Sequence, residues 1–253
     1  MAGYGDGLQN DGGGKGGVEI DARGAGLWCL LDDPLTVAQV AMAAPDWLCL
    51  DQQHGAFDDA STLAAMQVLA GLPQRPPVAV RVPEDPGPAV GRAADAGADI
   101  VIVPMVETAD QAQEVARAAF YPPRGARSWG PLNGLWGDTE VRREPEVWVM
   151  IETARALENL DQILAVDGVA GILVGPMDLS LALGTDPESL LAATGEDDPL
   201  PRVVAATRRA GKRPCMFLGV PEREPAARAI GFEAFAISTD IEAIARGVRG
   251  VLG

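Results

Sequence analysis

Eight short apolar runs, each followed by a stretch with helical spacing, recur along this chain and leave few folds open to it. The runs are AGLWCLL (25–31), DWLCLDQQ (46–53), PPVAVRV (76–82), DIVIVPMV (99–106), VWVMIE (147–152), GILVGPMD (171–178), RPCMFLGV (213–220) and FEAFAIS (232–238). They are continuous rather than alternating, as parallel strands covered by helices must be. Between them, segments such as ARALENLDQIL place Ala156, Leu157, Leu160, Ile163 and Leu164 on one helical face. Eight units of about 29 residues each predict an α/β fold, a (β/α)8 TIM barrel. The expected organisation is a flexible, glycine-rich tail over residues 1–20 and one catalytic barrel over residues 21–253.

Charge narrows the partners. A formal net charge of −16 argues against nucleic acid or an anionic membrane surface. No apolar run reaches the roughly 18–20 residues that cross a bilayer, and the first 20 residues carry no signal-peptide core. Cys29, Cys49 and Cys215 each lie inside an apolar run, with spacing that fits neither zinc nor a disulfide framework. They read as buried small hydrophobes in a reducing cytoplasm.

A barrel of this kind builds its chemistry at the C-terminal ends of its strands. There the chain places Asp51-Gln52-Gln53-His54 after strand two, Arg81 in strand three, Glu152 after strand five and Asp178 after strand six. His54 is the only histidine, and an imidazole exchanges protons near neutral pH. Arg81 sits in an apolar strand, where a guanidinium needs a partner. It is either half of an ion pair, with Glu152 a candidate, or a fixed cation for an oxyanion. Asp178 either caps the following helix or acts with Glu152. Two carboxylates on one rim, with no second histidine and no cysteine beside them, favour a hard divalent cation such as Mg²⁺ or Mn²⁺. Of the two lysines, Lys15 is in the tail and Lys212 precedes strand seven, so imine chemistry has no residue to run on. The segment 121–138, YPPRGARSWGPLNGLWGD, is a long Gly/Pro/Trp-rich loop, either functional or a subunit contact.

With those residues assembled, the chain resembles the HpcH/HpaI class II aldolase and citrate lyase family from about residue 24 onward. The matching segments are DWLCLDQQHG, VAVRVP, GADIVIVPMVETADQA, YPPRGARS, VMIET, GILVGPMDLSLALG and GFEAFAISTD, in that order. The resemblance implies a barrel of the phosphoenolpyruvate/pyruvate-binding type. It implies reversible cleavage of a 4-hydroxy-2-oxo acid to pyruvate and an aldehyde through an enolate held by a metal and an arginine.

On the positions of this chain, Glu152 and Asp178 match the metal ligands, for Mg²⁺, Mn²⁺ or Co²⁺. Arg81 matches the arginine on the keto oxygen and His54 the base. Asp51 and Asp95 compete as partner of His54, Asp95 from a neighbouring subunit. The backbone of Gly175, Pro176 and Met177 receives the substrate carboxylate. Met150 and Leu218 wall the pocket, and Arg127 is the candidate for a distal carboxylate, with Trp129 or Trp136 closing over a hydrophobic one. The family also implies a homo-oligomer, a hexamer or trimer of dimers, with the last helix exchanged between barrels.

Met150 stands where many members carry glutamine, Met177 where alanine is common and Gln53 where glutamate is frequent. The two methionines make the pocket narrower or more apolar. The same site would also suit an oxaloacetate decarboxylase, a citryl- or malyl-type lyase, or a 2-oxo-acid-binding protein without turnover.

Overall fold

A computed structural model describes residues 20–83, 86–137 and 143–253. The predicted tail, residues 1–20, lies outside the described residues except for Ile20. Eight parallel strands close into a barrel in chain order. They are β1 (Gly24–Cys29), β2 (Trp47–Asp51), β3 (Val78–Arg81), β4 (Ile100–Val103), β5 (Glu146–Ile151), β6 (Val169–Val174), β7 (Arg213–Phe217) and β8 (Ala234–Thr239). This is the (β/α)8 architecture that the spacing of apolar runs predicts.

The helices between them are α1 (Pro34–Met42), α2 (Asp59–Ala70), α3 (Gly87–Asp95), α4 (Ala109–Ala119), α5 (Ala154–Glu158), α6 (Leu160–Leu164), α7 (Pro176–Ala182), α8 (Pro187–Ala192), α9 (Pro199–Arg209), α10 (Glu224–Ile230) and α11 (Asp240–Leu252). Local chemistry sets several starts. Asp58 and Thr108 form capping boxes with Ser61 and Gln111, each satisfying two otherwise unpaired helix-end groups. The segment 154–164 is two short helices rather than one, because Asn159 leaves the helical region at φ −92°, ψ 9°. The acidic excursion after α7 holds a helix of its own, α8, capped by Asp186.

Two apolar shells make the core. The outer one packs helices against the strands' outward faces and includes Leu48, Val80, Val101, Ile151, Ile172 and Leu218. The inner one fills the barrel with Trp28, Trp47, Trp148, Cys49, Ile100, Ile102 and Leu173. Trp47 and Trp148 meet edge to face, with ring centroids 5.6 Å apart. They fit only because β1 supplies a glycine: a Cβ on Gly26 would collide with the Trp47 indole.

At the N-terminal end the barrel is sealed. Glu146 accepts from Arg213 Nη1 (2.7 Å) and Trp148 Nε1 (2.8 Å). Arg213 Nη2 also donates to the Ile20 carbonyl (3.2 Å). Ligands therefore enter from the opposite end. Among the described residues no helix is long and apolar enough to cross a membrane. All three cysteines are free and buried, as expected.

Candidate active site

The open end holds a cavity of about 250 Å³, lined among others by Trp28, Asp51, His54, Arg81, Met150, Gly175, Met177, Asp178 and Phe217. Strand register builds its charged wall. β2 and β3 pair with Asp51 opposite Arg81, so the last inward positions of both strands are neighbours. Asp51 is fully buried. It accepts from Arg81 Nε at 2.8 Å and Nη2 at 2.5 Å, and from Trp28 Nε1 at 3.0 Å. The Gln53 amide (3.0 Å) adds a fourth hydrogen bond. The Arg81 guanidinium also lies over the Trp28 ring, 5.0 Å from its centroid.

Burial pushes the Asp51 carboxyl upward, but the hydrogen bonds and charge of Arg81, with Trp28 and Gln53, outweigh it and hold the group below the ordinary carboxylate range. Burial likewise works against the Arg81 charge, and the Asp51 contacts more than offset it, with Glu152 adding to the effect. Arg81 is thus half of an ion pair, as one of the two expectations had it. Its partner is Asp51 and not Glu152. The pairing takes Nε and Nη2, and among the described residues no hydrogen bond engages Nη1.

Glu152 lies just past β5, almost wholly buried. The Met105 N–H donates to its Oε1 at 2.7 Å. Met105 holds this position in the left-handed region, at φ 56°, a conformation that costs a non-glycine residue about 1–2 kcal/mol. The other oxygen, Oε2, lies against Gly175, where a Cβ would come within 2.6 Å. Gly175 is therefore required for Glu152 to approach the mouth of β6. Asp178 is exposed and lines the cavity. It stands in the first turn of α7 rather than on the strand, because Pro176 starts the helix there. Pro176 has no N–H, so the first-turn donors of α7 that lack an intrahelical acceptor are those of Met177 and Asp178.

The donor set suits a hard cation. Glu152 and Asp178 are oxygen donors, and among the described residues no group of three or more His, Cys, Asp or Glu converges on a metal position. Two carboxylates leave most of the coordination sphere to substrate and water, as is usual for Mg²⁺-like ions.

His54 is exposed on the loop after β2 and lines the cavity. Its backbone N–H, not its ring, reaches Asp51 Oδ1, at 3.3 Å. Asp51 is committed to Arg81, so it does not orient the imidazole. Asp95 does not do so within one chain either. It ends α3 at the N-terminal face and accepts from Arg127 Nε (3.1 Å) and Nη2 (2.5 Å).

Arg127 requires correction as a substrate residue of its own barrel. The described part of the loop, 121–137, follows α4 and packs at the N-terminal face, where the Leu132 N–H donates to the Asp95 carbonyl (2.8 Å). There Arg127 is buried and stacked on Tyr121, 4.5 Å from the ring centroid. Trp129 and Trp136 share that loop and cannot close over the cavity of their own chain. Leu218 also needs correction. It points into the outer core, and its predecessor Phe217 lines the cavity, edge to face with Trp28 at 5.3 Å.

Sequence reasoning missed Trp28, Phe217, Leu30 and Thr239 as lining residues. The Gly-Leu-Trp phase of strand one carried a signal for Trp28, since residues two apart share a face.

The HpcH/HpaI aldolase/citrate lyase family model matches residues 24–245. The chain belongs to this family. Among HpcH/HpaI relatives, the hydroxypyruvate/pyruvate aldolase of Deinococcus radiodurans is 37% identical over 237 residues, covering 88% of this chain and 82% of its own. The 4-hydroxy-2-oxovalerate aldolase of Rhodococcus jostii is 34% identical, covering 87% of both chains. Among solved structures, an HpcH/HpaI family protein from Burkholderia cenocepacia superposes with a TM-score of 0.78 at 28% identity, covering 92% of this chain and 94% of that one.

Proposed function

We propose that this chain is a divalent-metal-dependent aldolase that reversibly cleaves a 4-hydroxy-2-oxo acid into pyruvate, or a close relative, and an aldehyde. Membership of the family and the aldolase names of its relatives support the activity. The observation that carries the residue assignment is the gathering of His54, Arg81 and Asp178 around one small cavity, with Glu152 directly behind Gly175.

Glu152 and Asp178 would hold the cation, Mg²⁺, Mn²⁺ or Co²⁺. When bound, it would supply a Lewis acid that draws negative charge onto the oxygens of the 2-oxo acid. The residues of the chain supply the rest. The first turn of α7, from Gly175 through Met177, receives the substrate carboxylate. His54, at the exposed side of the cavity, takes the proton of the 4-hydroxyl. As the C3–C4 bond breaks, the aldehyde departs, the bonding pair forms the C2–C3 double bond and the carbonyl pair at C2 moves onto its oxygen. Arg81, fixed by Asp51 and Trp28, donates from Nη1 to the oxygen that becomes the enolate oxyanion. A preorganised cation there needs no reorganisation as the charge develops. Protonation at C3 gives pyruvate.

The decisive experiment is deuterium exchange at the pyruvate methyl group, with and without Mg²⁺ or Mn²⁺. It reads enolate formation without an aldehyde. Cation-dependent exchange that is lost in Glu152→Gln and Arg81→Ala is the expected result. Unchanged exchange after exhaustive chelation would rule the reading out.

A homo-oligomer, a hexamer or trimer of dimers with α11 exchanged between copies, belongs to the same proposal. In support, α11 leaves Ile241, Ile244, Val248, Val251 and Leu252 exposed. It borders an apolar groove of about 690 Å³ lined by Leu27, Val40 and Ile237. In such an assembly Asp95 of one copy would orient His54 of another. A cytoplasmic location fits the three free, buried cysteines.

A further inference from the structure

We infer that Asp240, the first residue of α11, is a positioning residue for the base: through the backbone of Leu30 it fixes the loop that carries His54. The inference rests on the aldolase reading and deepens it by naming what holds the base at the cavity.

β1 ends at Cys29. Its ladders stop with Cys29 opposite Leu50 on one side and Trp28 opposite Thr239 on the other. The N–H groups of Leu30 and Leu31 come next, past the last strand partner, and need an acceptor from elsewhere. Asp240 supplies it. Its Oδ1 accepts from Leu30 and its Oδ2 from Leu31, both at 3.0 Å. Oδ1 also accepts from the Ile241 N–H at 2.8 Å. The residue is 1% exposed, and among the described residues only backbone N–H groups bond to its carboxylate. A buried charge is costly without such donors, and the positive end of α11 adds to their effect. Starting the helix does not require it. Thr239 already caps α11, its Oγ1 accepting from the Glu242 N–H at 3.2 Å. What the carboxylate adds is the grip on Leu30 and Leu31.

Leu30 in turn carries the loop of the base. Its carbonyl accepts from the Ala56 N–H at 2.8 Å. Gly55 is seated on it: a Cβ there would lie 3.2 Å from the Leu30 Cα and would strike the Asp51 carbonyl. On its other side the loop hangs on Asp51 Oδ1, which accepts from the amides of Gln53 (3.0 Å) and His54 (3.3 Å). His54 therefore stands between two supports. The Asp51 support also fixes Arg81 and serves both halves of the site. The Asp240–Leu30 support serves the base. Asp95 of a neighbouring copy would turn the imidazole, whereas Asp240 places the backbone from which it extends.

The two supports separate two reactions of one site. Enolate formation from pyruvate uses the cation and Arg81, while cleavage also needs the base on the 4-hydroxyl. The experiment measures both on the same preparations: cation-dependent deuterium exchange at the pyruvate methyl, and cleavage of 4-hydroxy-2-oxovalerate and its longer homologues, the best of them being used for the variants. Asp240→Ala is expected to lower kcat for cleavage by about 10–100-fold, the scale of a small misplacement of a reacting group, with exchange nearly unchanged. His54→Ala should show the same split. Asp240→Asn should recover most of the loss, because its amide oxygen can still accept from Leu30. Gly55→Ala lifts the loop off Leu30 without touching α11 and should lower cleavage more than exchange; it decides the matter if Asp240→Ala does not fold. Parallel loss of both activities would make Asp240 a structural residue only, and full cleavage in Asp240→Ala would free the loop from it; either result overturns the inference. So does a cleavage loss accompanied by a changed oligomeric state in light scattering, which would trace it to the assembly, and so does loss of exchange in His54→Ala. A wild type that exchanges without cleaving any of these acids, or does neither, overturns the aldolase reading itself.

Discussion

Asp51 grips Arg81 from the neighbouring strand through two hydrogen bonds, 2.8 Å from Nε and 2.5 Å from Nη2, at the mouth of the barrel. The pairing makes a costly buried cation into a fixed one, aimed by a fork that lysine cannot reproduce.

Arg81→Lys is therefore expected to lower kcat by about 10²–10³, the usual cost of losing one oxyanion donor. Asp51→Ala leaves Arg81 buried without its counter-charge and is expected to cost about 3–5 kcal/mol of stability. Because the folded Asp51 carboxyl titrates below its unfolded value, the pair stabilises the fold above about pH 4 and is lost as pH falls further. Urea titrations of wild type and Asp51→Asn between pH 2.5 and 6 check this. The gap between them should be widest at pH 6 and should close toward the acid end. A constant gap would mean that the carboxylate charge is not what matters.

Glu152→Gln and Asp178→Asn are expected to abolish turnover while leaving the fold in place, since each keeps the shape and removes one anionic oxygen donor. Calorimetric titration with Mn²⁺ should show tighter binding in wild type than in either variant. Glu152→Gln should keep the Met105 contact, because the amide oxygen still accepts that N–H, whereas Glu152→Ala, which removes the acceptor, should also lower stability. Wild-type affinity for Mn²⁺ in both variants would remove the pair from the metal site.

Met105 offers a separate test, because its left-handed backbone exists to point an N–H at Glu152. Met105→Gly relieves the φ of 56° and is expected to change stability by no more than about 1 kcal/mol. Met105→Val places a β-branched residue where it is least tolerated and is expected to cost about 1–3 kcal/mol. It should also weaken cation binding, because Glu152 loses its anchor. Denaturant titration and Mn²⁺ binding read the two effects independently. A valine variant with native stability would show that the local backbone is free to relax.

The barrel was legible because its strands are continuous apolar runs set apart by helical spacing, a pattern with few other solutions. The end of each strand was less so. GILVGPMD reads as one apolar run, yet Pro176 turns it into a helix and moves Asp178 into the first turn. Alternation within β7 would have chosen correctly between Phe217 and Leu218, since Cys215 and Phe217 face inward together. Arg127 was misplaced although chain order alone decides it: a segment between a helix and the next strand lies at the N-terminal face, away from the site. The Asp51–Arg81 pair could not be read at all without the register of β2 on β3. His54 was found because it is the only imidazole, but what orients its ring is not in the composition.

The buried thiols give a last expectation, at alkaline pH. Burial raises the Cys29, Cys49 and Cys215 thiols, with nearby carboxylates adding to the effect. The folded chain therefore keeps them protonated where the unfolded chain would ionise them near pH 8.5. The stabilisation is fully present below that value and is lost progressively as pH rises above it. The midpoint of thermal unfolding is expected to fall steadily from about pH 8.5 upward, and Cys→Ala at Cys49 should reduce that slope while costing some core packing. At pH 8, native protein should leave all three thiols unreacted with a small disulfide reagent, and unfolding in guanidinium should release three equivalents. A thiol that reacts at once in the native state would contradict its burial inside or against the barrel, and would place that strand in exchange with an opened form.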